Sequence, residues 1–221
     1  MRQLLLELPA QDVTLDNFVA GRNAELLHTL RGMLADGPRE RFVYLWGEPG
    51  SGRTHLLKAF AAAAGQRGLA ATYVAAEGSL PDLSGCAVAA VDDVDRLDGE
   101  GQIALFNLYN RLREEGGMLL TSGPRAPAQL ALRPDVETRL GWGLVFQVHG
   151  LSDAEKAEAL QSHATLRGFA LSPEVTGYLL RHWRRDLPSL MAALDALDRY
   201  SLETKRPVTV PLLRELLQAE R

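Results

Sequence analysis

Between Gly47 and Thr54 the chain reads Gly-Glu-Pro-Gly-Ser-Gly-Arg-Thr, and its setting leaves few folds open. The apolar run Phe42-Val43-Tyr44-Leu45-Trp46 precedes it, and Leu56-Leu57-Lys58-Ala59-Phe60-Ala61-Ala62-Ala63-Ala64 follows. That is the order strand, glycine-rich loop, helix. Gly47 and Gly52 have the spacing of a phosphate loop, with a basic residue and a hydroxyl after them. Glycine lets the backbone close tightly, so successive N–H groups converge on phosphate oxygens at the start of a helix. Gly47, Gly50, Ser51, Gly52 and Arg53 are therefore expected to cradle the phosphates of ADP or ATP, and Thr54 to ligate Mg²⁺. Arg53 stands where the pattern has lysine; its larger planar fork keeps the charge, which favours binding over turnover.

Two carboxylates extend this reading. The run Cys86-Ala87-Val88-Ala89-Ala90-Val91 predicts a strand buried on both faces, and it ends in Asp92-Asp93. In a phosphate-loop ATPase, Asp92 would hold Mg²⁺ through water and Asp93 would polarise the attacking water. Met118-Leu119-Leu120-Thr121-Ser122 predicts another strand, ending in the hydroxyls of Thr121 and Ser122 where a γ-phosphate can be sensed.

The remaining elements follow from periodicity. Asn23 is expected to cap a helix with apolar residues at 26, 27, 30, 33 and 34, ended by Gly37-Pro38. Phe18 and Val19, just ahead of it, form either a dry pocket for a purine base or plain core. Residues 70–76 predict a strand, Gln102 to Glu115 an amphipathic helix, Asp135 to Leu140 a short helix, and 141–148 a turn into a fifth strand. Strand–helix alternation throughout predicts an α/β fold, a parallel doubly wound sheet with helices on both faces. After Gly150 only helices are expected: 153–167 behind the capping box of Ser152 and Glu155, Pro173 to about Arg185, Leu187 to Thr204, and Pro211 to Glu220. The predicted organisation is an N-terminal arm over 1–10, a nucleotide-binding α/β domain over 11–150 and a helical lid over 151–221. The run from Arg181 to Arg185 reads as a solvated helix face.

Composition removes several function classes. A formal net charge of −4 over 221 residues argues against gripping nucleic acid through a broad basic surface, so no direct sequence-specific DNA binding is expected. The single Cys86 excludes an internal disulfide and reads as a small buried residue. The five histidines lack ligand spacing, so no transition-metal site is expected. No apolar run reaches membrane-spanning length and no secretory signal is visible, so the chain is expected to be cytoplasmic, with no membrane partner.

Thr14-Leu15-Asp16-Asn17-Phe18-Val19-Ala20-Gly21 closely resembles the opening box of the bacterial replication initiator DnaA, an AAA+ protein. Asp92-Asp93, Thr121-Ser122 and Arg139-Leu140-Gly141-Trp142-Gly143-Leu144 resemble its later AAA+ boxes. The initiator also has a C-terminal DNA-binding domain, which is not expected here. Phe106-Asn107-Leu108-Tyr109-Asn110-Arg111 and Leu151-Ser152-Asp153-Ala154-Glu155-Lys156 are closer to a subgroup, the Hda-type regulatory inactivators of the initiator. Arg53 fits that subgroup, in which a phosphate-loop arginine occurs.

The resemblance implies roles that residue patterns alone do not give. Arg139 takes the position of the arginine finger, which acts in trans on a neighbouring subunit's nucleotide; a helix-end salt bridge is the simpler reading. The arm, readable as a loose tail or as a peptide ligand, is similar to the sliding-clamp-binding peptide of these inactivators, with Gln3, Leu4, Leu6 and Leu8 as its contacts. Leu5 and Glu7 depart from that peptide's usual residues. The family's nucleotide-sensing arginine falls on Pro188, with Arg184 and Arg185 one turn earlier, and the aspartate after the fourth strand is replaced near Gly123. With Arg53, these departures imply a protein that binds nucleotide, ADP at rest, and hydrolyses ATP poorly by itself.

The implied function is negative regulation of replication initiation. The partners are DnaA and the DNA polymerase sliding clamp (beta subunit), whose loading on DNA would bring the chain to the nucleoid. A homo-oligomer is compatible with the resemblance. The alternatives are a self-sufficient AAA+ ATPase of helicase-loader type and a truncated initiator paralogue.

Overall fold

The computed structural model describes residues 13–35, 40–184 and 186–219. The proposed clamp-binding residues Gln3, Leu4, Leu6 and Leu8 lie outside them, as do Gly37-Pro38 and Arg185. The chain divides into two compact units at Gly150 and Leu151.

The first unit is built on five strands: β1 (Phe42–Trp46), β2 (Ala71–Ala75), β3 (Val88–Asp92), β4 (Met118–Gly123) and β5 (Leu144–Gln147). They form one sheet in the order β2-β3-β4-β1-β5, parallel at every pairing. Side chains alternate across the sheet, as the period of two requires. Val43 and Leu45 join Val88, Ala90 and Leu120 on one face, under α1 (Ala24–Met33) and α2 (Arg53–Gln66). Tyr44, Ala89, Val91 and Leu119 face the other way, under α3 (Gly99–Glu115) and α4 (Pro134–Trp142). β3 is buried at all five positions, as its apolar run predicts.

Several local expectations change. Asn23 does not cap α1: its amide donates to the His149 carbonyl at 2.8 Å and accepts from the His149 N–H at 2.8 Å. A buried amide is better satisfied by two fixed backbone partners than by a helix end open to water. Helix α3 starts earlier than its apolar pattern, because Asp98 accepts from the Gly101 N–H and sets the first turn at Gly99. Helix α4 runs on through Trp142, so the segment before β5 is not a long turn. Strand–helix alternation also fails once, since no helix intervenes between β2 and β3.

The second unit, Leu151–Arg221, has α5 (Asp153–Leu166), α6 (Pro173–His182), α7 (Leu187–Thr204) and α8 (Val210–Ala219) around an aliphatic core of Leu160, Val175, Leu190, Leu194, Leu197, Leu212 and Leu213. The capping box of Ser152 and Glu155 forms as the sequence predicts. α6 ends at His182 rather than near Arg185, because the Trp183 indole leaves the helix to donate to the Ser189 carbonyl at 3.1 Å while Asp186 caps α7. Pro188 sits in the first turn of α7, where its missing N–H costs nothing. Among the described residues no helix is long and apolar enough to cross a membrane.

Candidate functional site

Parallel strands place their C-terminal ends at one edge of the sheet, the edge where open α/β sheets take ligands. Here β1 runs straight into residues 47–52, and β3 and β4 bring Asp92 and Ser122 alongside. Gly47 closes against the Val148 carbonyl, and Gly50 has positive φ. Gly52 is fixed twice over: its φ is 103°, and a Cβ there would lie 2.7 Å from Phe18 Cε2. Phe18 thus seals the last glycine of the loop, its ring 5.4 Å from that of His55. The imidazole Nε2 of His55 meets the Thr14 carbonyl at 2.9 Å, and burial lowers its pKa, so the neutral ring is the donor there. Phe18 and Val19 are both half-buried on this segment.

Thr54 Oγ1 donates to Asp92 Oδ2 at 2.6 Å, Tyr73 Oη donates to the same oxygen at 3.1 Å, and Ser122 Oγ donates to Oδ1. Asp92 is only 3% exposed, so these three hydroxyls replace the water that would otherwise solvate the carboxylate. Sequence reasoning misses Tyr73, because nothing in its own strand marks it; only the β2–β3 register brings it to Asp92. Thr121 does not share the role expected of it. Its hydroxyl faces the Val43 carbonyl within the sheet at 3.5 Å, while Ser122 Oγ also accepts the Asp93 N–H at 3.0 Å.

Asp93 adopts left-handed backbone geometry, φ 52°, a conformation uncommon for residues other than glycine. Its Oδ1 is 3.3 Å from Arg53 Nη1 and its Oδ2 is 3.7 Å from Arg96 Nη2. Burial and the neighbouring Asp92 carboxylate push its pKa up, and the two guanidinium groups only partly offset them. The Arg53–Asp93 approach lacks hydrogen-bond geometry. Among the described residues, Arg53 Nη1 and Ser51 Oγ are both buried without a hydrogen-bond partner. Two orphaned donors on a glycine-rich turn at a helix start fit a phosphate group, whose oxygens would satisfy both. The hydroxyl of Thr54 beside Asp92 suits Mg²⁺, which takes few protein oxygens.

Arg139 lies apart from this cluster. Its Nε donates to Asn110 Oδ1 at 3.2 Å, and its guanidinium sits 3.9 Å from the centre of the Trp142 ring, with Phe106 and Tyr109 at 5.2 and 5.8 Å. Among the described residues no salt bridge holds it at the helix end.

A concavity of about 530 Å³ occupies the opposite edge of the sheet. The guanidinium groups of Arg41 and Arg111 that line it are taken by the carbonyls of Gly116, after α3, and of Leu83 and Cys86, in the loop before β3, so they tie internal loops rather than stand free for a ligand.

Residues 10–84 match the bacterial DnaA ATPase domain, and residues 153–217 match the lid domain of Hda. The chain is a DnaA/Hda-related AAA+ protein. Its fold is similar to that of domain III of the Thermotoga maritima replication initiation protein DnaA, with 22% identity, TM-score 0.75, and coverage of 94% of this chain and 96% of that one. AMPPCP-bound DnaA from Aquifex aeolicus is similar at 20% identity and TM-score 0.70, over 87% of this chain and 66% of that one. The Thermotoga maritima RuvB Holliday junction branch migration motor follows at 15% identity and TM-score 0.65, over 93% and 71%. The AAA+ unit is thus a five-stranded parallel sheet with helices on both faces, followed by an Hda-type lid domain.

Proposed function

We propose that this chain is a nucleotide-bound adaptor that negatively regulates replication initiation by stimulating ATP hydrolysis on DnaA. In this reading the arm at residues 1–10 binds the DNA-loaded sliding clamp, residues 11–150 hold ADP, and residues 151–221 form the lid. Arg139 is offered to ATP bound on DnaA. The observation that carries the reading is the separation of two cations. Arg53 sits in the chain's own phosphate loop, whereas Arg139 is held away from it on α3 and α4.

Nucleotide binding rests on the orphaned Ser51 Oγ and Arg53 Nη1, which phosphate oxygens would satisfy. It is also supported by likeness to an AMPPCP-bound DnaA. Thr54 and Asp92 are the residues that would hold Mg²⁺, whose charge, when it is bound, stabilises the phosphate oxygens. Asp93 lies within ion-pair distance of Arg53 and Arg96, so its carboxylate is turned to the chain's own guanidinium groups rather than left to orient a water, which accords with weak intrinsic hydrolysis. A self-sufficient ATPase is the second reading, favoured by the intact contact of Thr54, Asp92 and Ser122. A measurable steady-state turnover by the isolated chain would select it.

Phosphoryl-transfer charge spreads over the γ-phosphate oxygens, and a rigid guanidinium supplied in trans meets it; losing one costs about 10³–10⁵ in rate. The test is single-turnover hydrolysis of ATP prebound to DnaA, with clamp loaded on DNA. The parent chain should accelerate it, and Arg139→Ala should not, while keeping its nucleotide and its clamp binding. Equal stimulation by both would end the trans-finger role.

A further inference from the structure

Trp142 touches Arg139 more closely than any other ring does, yet it is 52% exposed. The two residues are three apart on α4, so the helix itself brings the guanidinium over the indole face. The indole is anchored from behind. Its ring is 6.5 Å from Tyr109 edge-on, and Tyr109 packs at 4.4 Å on Phe42 at the start of β1. A second guanidinium, that of Arg113, approaches the same indole at 5.1 Å. Among the described residues neither Arg113 nor Arg139 has an ion-pair partner. Two like charges share one ring with no carboxylate between them, an arrangement that favours an incoming anion.

An exposed arginine samples many rotamers, and ordering it during reaction adds to the barrier. A face-on stack removes most of that freedom without neutralising the charge, which a salt bridge would do. We propose that Trp142 is the positioning residue of Arg139, holding its guanidinium ready for the polyphosphate of a nucleotide on another subunit. The proposal rests on the trans-finger reading above.

The test uses the full chain as parent, Trp142→Phe, Trp142→Ala and Arg139→Ala, in the same single-turnover assay over a range of chain concentrations. Trp142→Ala should lower the maximal stimulated rate about 10²-fold, the scale of a misplaced catalytic group. Trp142→Phe keeps an aromatic face and should lose only about two- to fivefold. Melting temperature and bound nucleotide should be unchanged in both. The difference between the emission spectra of parent and Trp142→Phe isolates the indole. That emission should shift in Arg139→Ala, a readout that needs no partner.

Full stimulation by Trp142→Ala, with Arg139→Ala inactive, overturns the positioning role alone. Full stimulation by Arg139→Ala overturns the trans-finger reading beneath it. A loss in Trp142→Ala that phenylalanine does not rescue and that tracks a lower melting temperature overturns positioning in favour of a structural role. So does a maximal rate that stays intact while more chain is needed to reach it, in favour of simple docking.

Discussion

At the phosphate loop two buried donors, Ser51 Oγ and Arg53 Nη1, have no hydrogen-bond partner among the described residues. On α4 the contrast is direct: Arg139 is hydrogen-bonded to Asn110 and stacked among Phe106, Tyr109 and Trp142. Both places are cationic, and they are finished to different degrees. The loop carries the unsatisfied buried donors that a bound anion would complete. The Arg139 seat supports its cation with uncharged groups and leaves the charge unspent. Under the proposed function the first cation serves this chain's own nucleotide and the second a nucleotide on another subunit.

Breaking the second half of that contrast should give the largest effect. Arg139→Lys keeps a positive charge but loses the planar fork and most of the stacking. It should leave stimulated hydrolysis on DnaA down by about 10³ or more in single turnover, close to the alanine variant. Substantial rescue by lysine would mean that charge alone, not the prepared geometry, is what Arg139 supplies.

The first half is broken by Arg53→Ala with Thr54→Ala, which should abolish the nucleotide that co-purifies, read by chromatography after denaturation. Indole emission attributable to Trp142 should be unmoved, because the two sites share no contact that either substitution removes. Nucleotide content equal to that of the parent would remove the phosphate-loop reading.

A third variant separates stability from both sites. Asn23→Ala strands the N–H and carbonyl of His149, and leaving such groups unpaired costs about 1–3 kcal/mol each. Denaturant unfolding should show the loss with the unfolding slope unchanged.

The smallest effect concerns Asp93. Its folded pKa is raised, so its contribution to stability is fully present below the ordinary carboxylate value of 3.8 and is lost as pH rises through the raised value. At neutral pH the charged group is a net burden, and asparagine also tolerates left-handed backbone better. Asp93→Asn should therefore raise the melting temperature slightly at pH 7, with the gain fading as pH falls toward 4. It should also free Arg53 for phosphate and tighten nucleotide binding. A gain that grows on acidification would mean that the folded pKa of Asp93 is lowered instead.

What could be read from the sequence was whatever is decided locally. The phosphate loop, the apolar β3 run ending in Asp92 and the Ser152–Glu155 capping box each have their chemistry within a few residues, and each forms as its pattern predicts. Asn23 is the counterexample. Its type suits a helix cap, but its partner is His149, 126 positions away, and no local pattern announces that. Tyr73 is hidden for the same reason, since a strand tyrosine reads as core until the β2–β3 register puts Asp92 beside it. The resemblance singles out Arg139 but says nothing of its seat. The stack on Trp142 depends on α4 continuing past Leu140, where the glycines at 141 and 143 suggest a turn.

The contact between Phe18 and Gly52 bears on which sequences this chain can drift through. Position 50 is constrained by φ +80° alone, with nothing within 4 Å of an added Cβ, so the few side chains at ease in left-handed backbone, asparagine first, can enter there singly. Position 52 carries the same kind of constraint and a neighbour as well, so any replacement must displace the Phe18 ring and is strained even then. Residues 18 and 52 are therefore sterically coupled. Position 53, the first residue of α2 and free of positive φ, is the place where the loop could exchange one cation for another without changing its backbone.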